Sequence, residues 1–197
     1  TVFDDAVLDG TQFHDCKFPR ASFKNAKING AWFAQLPMES TVFDGAAGSA
    51  IFGGCDLSRA SFVGAKLPGA GYITSKLDGA SFRQADLSGA RFGAVDPYPA
   101  ASMDGVNFDG ITAPGAVFVG ASFARATFNA AKLAGAAFNG CTLKDISFKG
   151  AELTHASFGP LGKLGPANIT DVNFEGVAAS GAVFVGTSLT KASFKGA

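Results

Sequence analysis

AVFVG ASFAR ATFNA AKLAG AAFNG CTLKD ISFKG AELTH ASFGP, residues 116–160 written in fives, places a mostly small residue first, a polar or variable residue second and Phe or Leu third. A period this short and strict marks a repeat architecture, and a helical period of 3.6 cannot produce it. One pentad cannot bury its third residue alone. Pentads wound into coils stacked at the strand spacing of about 4.8 Å would bury it in a continuous core.

Outward from this stretch the same phase holds over residues 1–45, 50–94, 101–160 and 167–196, and all 20 Phe of the chain fall on third positions. Three segments interrupt it: residues 46–49, VDPYPA at 95–100 and LGKLGP at 161–166. The expectation is one all-β solenoid over residues 1–197, with phase breaks at those segments. Third residues tend to alternate between Phe and aliphatic types. The alternation survives only if residues 46–49 count as a shortened pentad and the two six-residue segments are loops outside the count.

CDLSR at 55–59 and ADLSG at 85–89 are the plainest copies of the loose pattern A(D/N)LXX, and on them the chain resembles the pentapeptide-repeat family over essentially its whole length. The resemblance implies a right-handed quadrilateral β-helix with four pentads per coil, the first and third residues pointing inward and the rest facing solvent. About nine coils would stack into a rod of roughly 44 Å.

Dealing the pentads onto four sides puts Phe3, Phe23, Phe43, Phe62, Phe82, Phe108, Phe128, Phe148, Phe174 and Phe194 on face one. Phe13, Phe33, Phe52, Tyr72, Phe92, Phe118, Phe138, Phe158 and Phe184 fall on face three. Faces two and four are mostly aliphatic, with Phe18 and Phe123 on face four. Two opposed aromatic ladders with aliphatic ladders between them fill a narrow square without voids. Both loops land on the corner between faces three and four. VNFDGITAPGAVFVGAS from Val106 matches VNFEGVAASGAVFVGTS from Val172 at 12 of 17 positions, as a duplicated three-coil unit would.

Function has to be read from the outward residues. Beside the face-one centres run Asp4, Lys24, Asp44, Val63, Arg83, Asp109, Asn129, Lys149, Glu175 and Lys195, a largely alternating series expected to form cross-coil charge pairs that support register. Face three differs. Its outward positions carry Trp32, Ile51, Ile73, Val117, Val119, Val183 and Val185, with Arg91 its one charge between Asp15 and the end. An apolar stripe on an otherwise polar rod is expected to be a binding or self-association surface. Pro97, Tyr98 and Lys163 of the two loops rise at its edge and complete the expected protein interface.

Candidate chemistry is sparse. His14 and His155 are the only histidines and lie about 32 Å apart by coil count, too far to share a metal or a proton. Cys16, Cys55 and Cys141 all take the inward first position on face four, at least two coils apart, so they read as buried free thiols and favour a reducing, cytoplasmic compartment. Gly162-Lys163 lacks the flanking residues of a phosphate loop. No catalytic residue, metal site or cofactor is expected, and an enzyme is not.

The 16 basic residues balance the 16 acidic ones, so neither direct nucleic-acid binding nor a strongly anionic surface is expected, and no apolar run is long enough for a membrane-spanning helix. The favoured reading is a non-enzymatic scaffold that binds a protein partner, or its own copy, through face three and the corner loops. The alternative comes from the resemblance, since some pentapeptide-repeat proteins mimic duplex DNA and bind topoisomerases such as gyrase in quinolone resistance. The sequence stops at ASFKG followed by Ala197 with no amphipathic capping helix, as either an excerpt of a longer protein or an end paired in an oligomer would.

Overall fold

The structure is a computed structural model that describes residues 1–93 and 99–197. No helix occurs among the described residues, and backbone pairing runs between coils in four parallel columns, one per side of a solenoid. On face one Val2 pairs with Ser22, Ser22 with Val42 and Val42 with Ser61, and the column continues to Asn173 and Ser193. Where pairing lengthens into strands, face three carries β1 (Gln12–Phe13), β2 (Trp32–Ala34) and β3 (Ile51–Gly53) in one parallel sheet. Face four carries β4 (Ser122–Ala124), β5 (Thr142–Lys144), β6 (Asn168–Thr170) and β7 (Ser188–Thr190) in another.

Pairing partners are twenty residues apart in an ordinary coil. The spacing drops to nineteen between Trp32 and Ile51, because residues 46–49 close a side with one residue fewer: Ala47 pairs with both Lys27 and Lys66. It rises to twenty-six between Lys76 and Ser102 and between Thr142 and Asn168, where a loop leaves the coil and returns. The return is closed by a hydrogen bond. The Ala101 N–H donates to the Phe92 carbonyl at 2.9 Å, and the Ala167 N–H to the Phe158 carbonyl at 2.7 Å.

Local chemistry explains the pentad. The third residue's carbonyl accepts the N–H of the next first residue, as from Ala6 to Phe3 at 3.1 Å, closing a turn whose fifth residue sits in the left-handed region. Gly10 has φ 68° there and Asp5 59°, a conformation that Gly adopts freely and Asp and Asn tolerate. The first residue is mostly small because it is buried at the corner, although Leu36, Ile111 and Ile146 are accommodated there. Asp or Asn in second place accepts the N–H of the fourth residue: Asp56 from Ser58 at 3.0 Å, Asp86 from Ser88 at 3.0 Å, Asn107 from Asp109 at 2.9 Å and Asn173 from Glu175 at 2.9 Å. CDLSR, ADLSG, VNFDG and VNFEG are therefore four copies of one turn.

The core is two columns of parallel rings. On face one Phe62 and Phe82 stack at 4.6 Å and 3°, and on face three Tyr72 and Phe92 at 4.6 Å and 4°. Between columns the rings meet edge to face, as Phe82 meets Phe92 at 5.8 Å and 90°. Each such pair adds about 0.5–1.5 kcal/mol beyond burial. Phe18 and Phe123, on the side between the columns, each touch both ladders.

Face one differs from the charge ladder expected of it. Among the described residues only Lys149 and Glu175 of that series form an ion pair, at 3.4 Å. Several acids take hydroxyl and backbone donors of the next coil instead. Asp4 accepts from Ser22 Oγ at 2.5 Å and the Lys24 N–H at 2.9 Å, and Asp44 from Ser61 Oγ at 2.5 Å and the Val63 N–H at 2.9 Å. A short carboxylate reaches these fixed donors directly, whereas an exposed lysine must give up rotamer freedom to pair.

Candidate interaction face

Face three presents two outward columns. The second residues of its pentads run Gln12, Trp32, Ile51, Gly71, Arg91, Val117, Ala137, Ser157 and Val183 by successive pairing. Ala34, Gly53, Ile73, Gly93, Val119, Asn139, Gly159 and Val185 stand in fourth place on the same side.

The stripe expected from the sequence separates into two patches. At one end Trp32 and Ile51, 48% and 49% exposed and paired across β2 and β3, join Ile73 around an open cleft of about 400 Å³. Ala34, Gln35, Gly53, Gly54 and Thr74 complete its lining. A second hollow of about 340 Å³ shares Ile51 and Ile73 and runs on over Gly71 to Arg91. At the other end Val183 and Val185 are exposed and flank Gly159, where a methyl group would lie 3.3 Å from Val183 Cγ1 and 3.7 Å from Val185 Cβ.

The ground between them is not a continuous apolar surface. Val117 is half-buried, paired between Arg91 and Ala137. Val119, expected to face a partner, is only 7% exposed. Gly93, where the chain leaves the coil, lies against it so closely that a Cβ there would come 2.7 Å from the Val119 nitrogen and 2.8 Å from its oxygen. Val119 is therefore covered on the outer side of the coil and belongs to neither exposed patch. Asn139, absent from the sequence expectation, is also buried, and its Nδ2 donates to Ser157 Oγ at 2.7 Å and to the Gly159 carbonyl at 2.8 Å. The polar second residue of the next coil was its only sequence signal.

The loop at 161–166 is a small hairpin. Leu161 and Leu164 exchange N–H to carbonyl bonds of 3.0 Å, both remain exposed with Lys163 between them, and Leu164 packs over Gly140. Pro97 and Tyr98 of the other loop lie outside the described residues. Elsewhere the chemistry is structural. Cys55 Sγ donates to the Phe33 carbonyl at 3.3 Å and Cys141 Sγ to the Phe118 carbonyl at 3.1 Å, while Cys16 is half-buried. Burial pushes the Cys55 thiol up to about 11 and the Cys141 thiol up to about 12. Among the described residues no group of three His, Cys, Asp or Glu could hold a metal ion.

Four parallel columns, turns every fifth residue and stacked central rings define a protein built of five-residue repeats. A family model of pentapeptide repeats matches eight copies, over residues 1–35, 75–96, 101–140, 131–159 and 167–197, and the chain belongs to that family. Among solved structures it is similar to HetL, a pentapeptide repeat protein involved in heterocyst differentiation regulation in the cyanobacterium Nostoc sp. strain PCC 7120. That match has 20% identity and a TM-score of 0.45, covering 97% of this chain and 86% of HetL. QnrB1, a plasmid-mediated fluoroquinolone resistance protein, matches at 17% identity and TM-score 0.43 over 95% of this chain and 90% of its own. A pentapeptide repeat protein from the Arabidopsis thaliana thylakoid lumen is 33% identical over 55% of this chain and 69% of its own, with a TM-score of 0.27. No curated protein sequence matches the chain.

Proposed function

We propose that this chain is a non-enzymatic scaffold that binds a protein partner through face three. The observation that carries the reading is the cleft of Trp32, Ile51 and Ile73: the chain's one tryptophan stands about half exposed beside an exposed isoleucine, on a surface where most outward residues are small or polar. The Val183 and Val185 patch and the hairpin carrying Lys163 extend the same side. A DNA-mimicking, topoisomerase-binding role would need a field of one sign, which 16 acidic and 16 basic residues do not supply.

The test is comparative affinity capture with tagged variants. A partner retained by the parent chain and by Lys132→Glu on face two, but lost with Trp32→Ala and with Val183→Lys, supports the reading. Equal retention by all four refutes it. Sedimentation at several concentrations identifies the case in which the partner is a second copy, and an unchanged gyrase supercoiling assay is the expected result for the charge-neutral surface.

A further inference from the structure

The cleft at Trp32 and the hollow reaching Arg91 adjoin, sharing Ile51 and Ile73 in their walls, and together make one interrupted groove. Its lining includes two glycines that are not in the left-handed region. A Cβ on Gly53 would stand 3.8 Å from Trp32 Nε1, and one on Gly71 4.0 Å from Ile51 Cγ2, both ordinary contacts. Neither glycine is needed for a turn, so what their missing side chains give the molecule is depth. One end of the groove is apolar and aromatic. The other end holds Arg91, which is exposed and makes no ion pair among the described residues.

Following the pairing from Trp32 through Ile51 and Gly71 to Arg91 crosses three coil steps, or roughly 14 Å at the strand spacing. An extended peptide rises about 3.4 Å per residue, so four residues cover that span. Side chains of an extended peptide alternate, which puts positions four apart on the same side, facing the groove together. A groove that lies open along several coils suits an extended chain better than a small molecule, which is ordinarily enclosed over most of its surface.

We propose that this groove receives an extended peptide segment of a partner protein in which a large apolar side chain enters the Trp32 cleft and a carboxylate four residues away meets Arg91. The inference rests on the reading of face three as a binding face and names the chemistry of what binds there.

Trp32 is the only tryptophan in the chain, so its emission reports occupancy of the cleft without a label. The experiment titrates the protein with blocked Ser/Thr heptapeptides carrying one Phe and one Glu at spacings of two, three and four residues, in both orders. A saturable blue shift greatest at a spacing of four is expected, weakened by salt. Arg91→Glu should weaken binding at least tenfold, with recovery when Lys replaces the peptide's Glu. Gly53→Leu should abolish binding by filling the cleft while leaving the unfolding temperature unchanged. Indifference to spacing or to the acid, or no shift with any peptide, overturns the inference. Equal binding of phenylpropionate alone also overturns it, in favour of a small carboxylate site. If peptides fail while Trp32→Ala still loses a captured partner, this inference falls and the scaffold reading stands.

Discussion

Tyr72 stacks on Phe92 at 4.6 Å in a column whose other members are all phenylalanine, and its buried hydroxyl has no hydrogen-bond partner among the described residues. An unpaired hydroxyl in an apolar interior costs about 1–3 kcal/mol, with no packing gain over the plain ring. Tyr72→Phe is expected to stabilise the protein by about 1 kcal/mol or more, raising the unfolding temperature by roughly 2–4 °C per kcal/mol. A lower unfolding temperature would mean the hydroxyl is paired, for instance by a buried water.

Thr74, which lines the cleft, has φ 56° although β-branched residues rarely adopt that region. Its Oγ1 donates to the Ile73 carbonyl at 2.7 Å, which offsets part of the strain. Thr74→Gly is expected to change stability by less than about 1 kcal/mol in either direction, whereas Thr74→Val, which keeps the branch and loses the bond, should cost about 1–2 kcal/mol. Chemical unfolding distinguishes them; a Thr74→Val variant as stable as the parent would show that the bond contributes nothing, and equal losses in the two variants would show that the left-handed φ stores no strain.

Thiol accessibility divides the cysteines. In the native protein a thiol reagent should label Cys16 well ahead of Cys55 and Cys141, and mass spectrometry of the labelled sites measures the order. The two buried thiols also set an alkaline limb. Their folded values, about 11 and about 12, lie above the unfolded value near 9.0, so their contribution is complete below pH 9 and is lost as pH rises through that window. The double variant Cys55→Ala with Cys141→Ala should flatten this limb relative to the parent.

Register should depend more on carboxylates that grip the next coil than on ion pairs. Asp44→Ala removes acceptors from Ser61 and Val63 and is expected to cost about 1 kcal/mol, while Lys149→Ala, which breaks an exposed pair with Glu175, should cost less than about 0.5. The acid side has a matching signature. The Ser22 hydroxyl holds the Asp4 carboxyl below its ordinary value. Burial raises that of Asp56, but bonds from Ser58 and the charge of Lys76 together outweigh it. Both contributions are full above the ordinary carboxylate value and disappear as pH falls through the lower folded ones. An acid titration of stability in which Asp4→Asn and Asp56→Asn variants keep the parent's slope would contradict this.

The repeat and its four sides were legible because burial constrains the residue types: a ring or longer aliphatic chain fills nearly every centre, Ala113 and Ala179 excepted, and most corner residues are small, with Leu36, Ile111 and Ile146 among the exceptions. The outward surface obeys no such rule. Val119 and Val185 occupy equivalent places in matching stretches, and Gly93 and Gly159 lie against them alike, yet the first has a further coil stacked beyond it and is 7% exposed while the second, in the last coil, is 65% exposed. Asn139 divides a stripe that looks continuous when only its apolar members are read. Opposite charges on face one suggested pairs where Ser22 and Ser61 supply shorter, stiffer donors.

The bonds from Ala101 to Phe92 and from Ala167 to Phe158 act as clasps. Each rejoins the coil at the same point whatever lies between its ends, so the corner between faces three and four can accept a segment of different length or composition without shifting any ring in the ladders. It is a natural grafting position, where the molecule can acquire a new recognition surface while its rigid shaft stays the same.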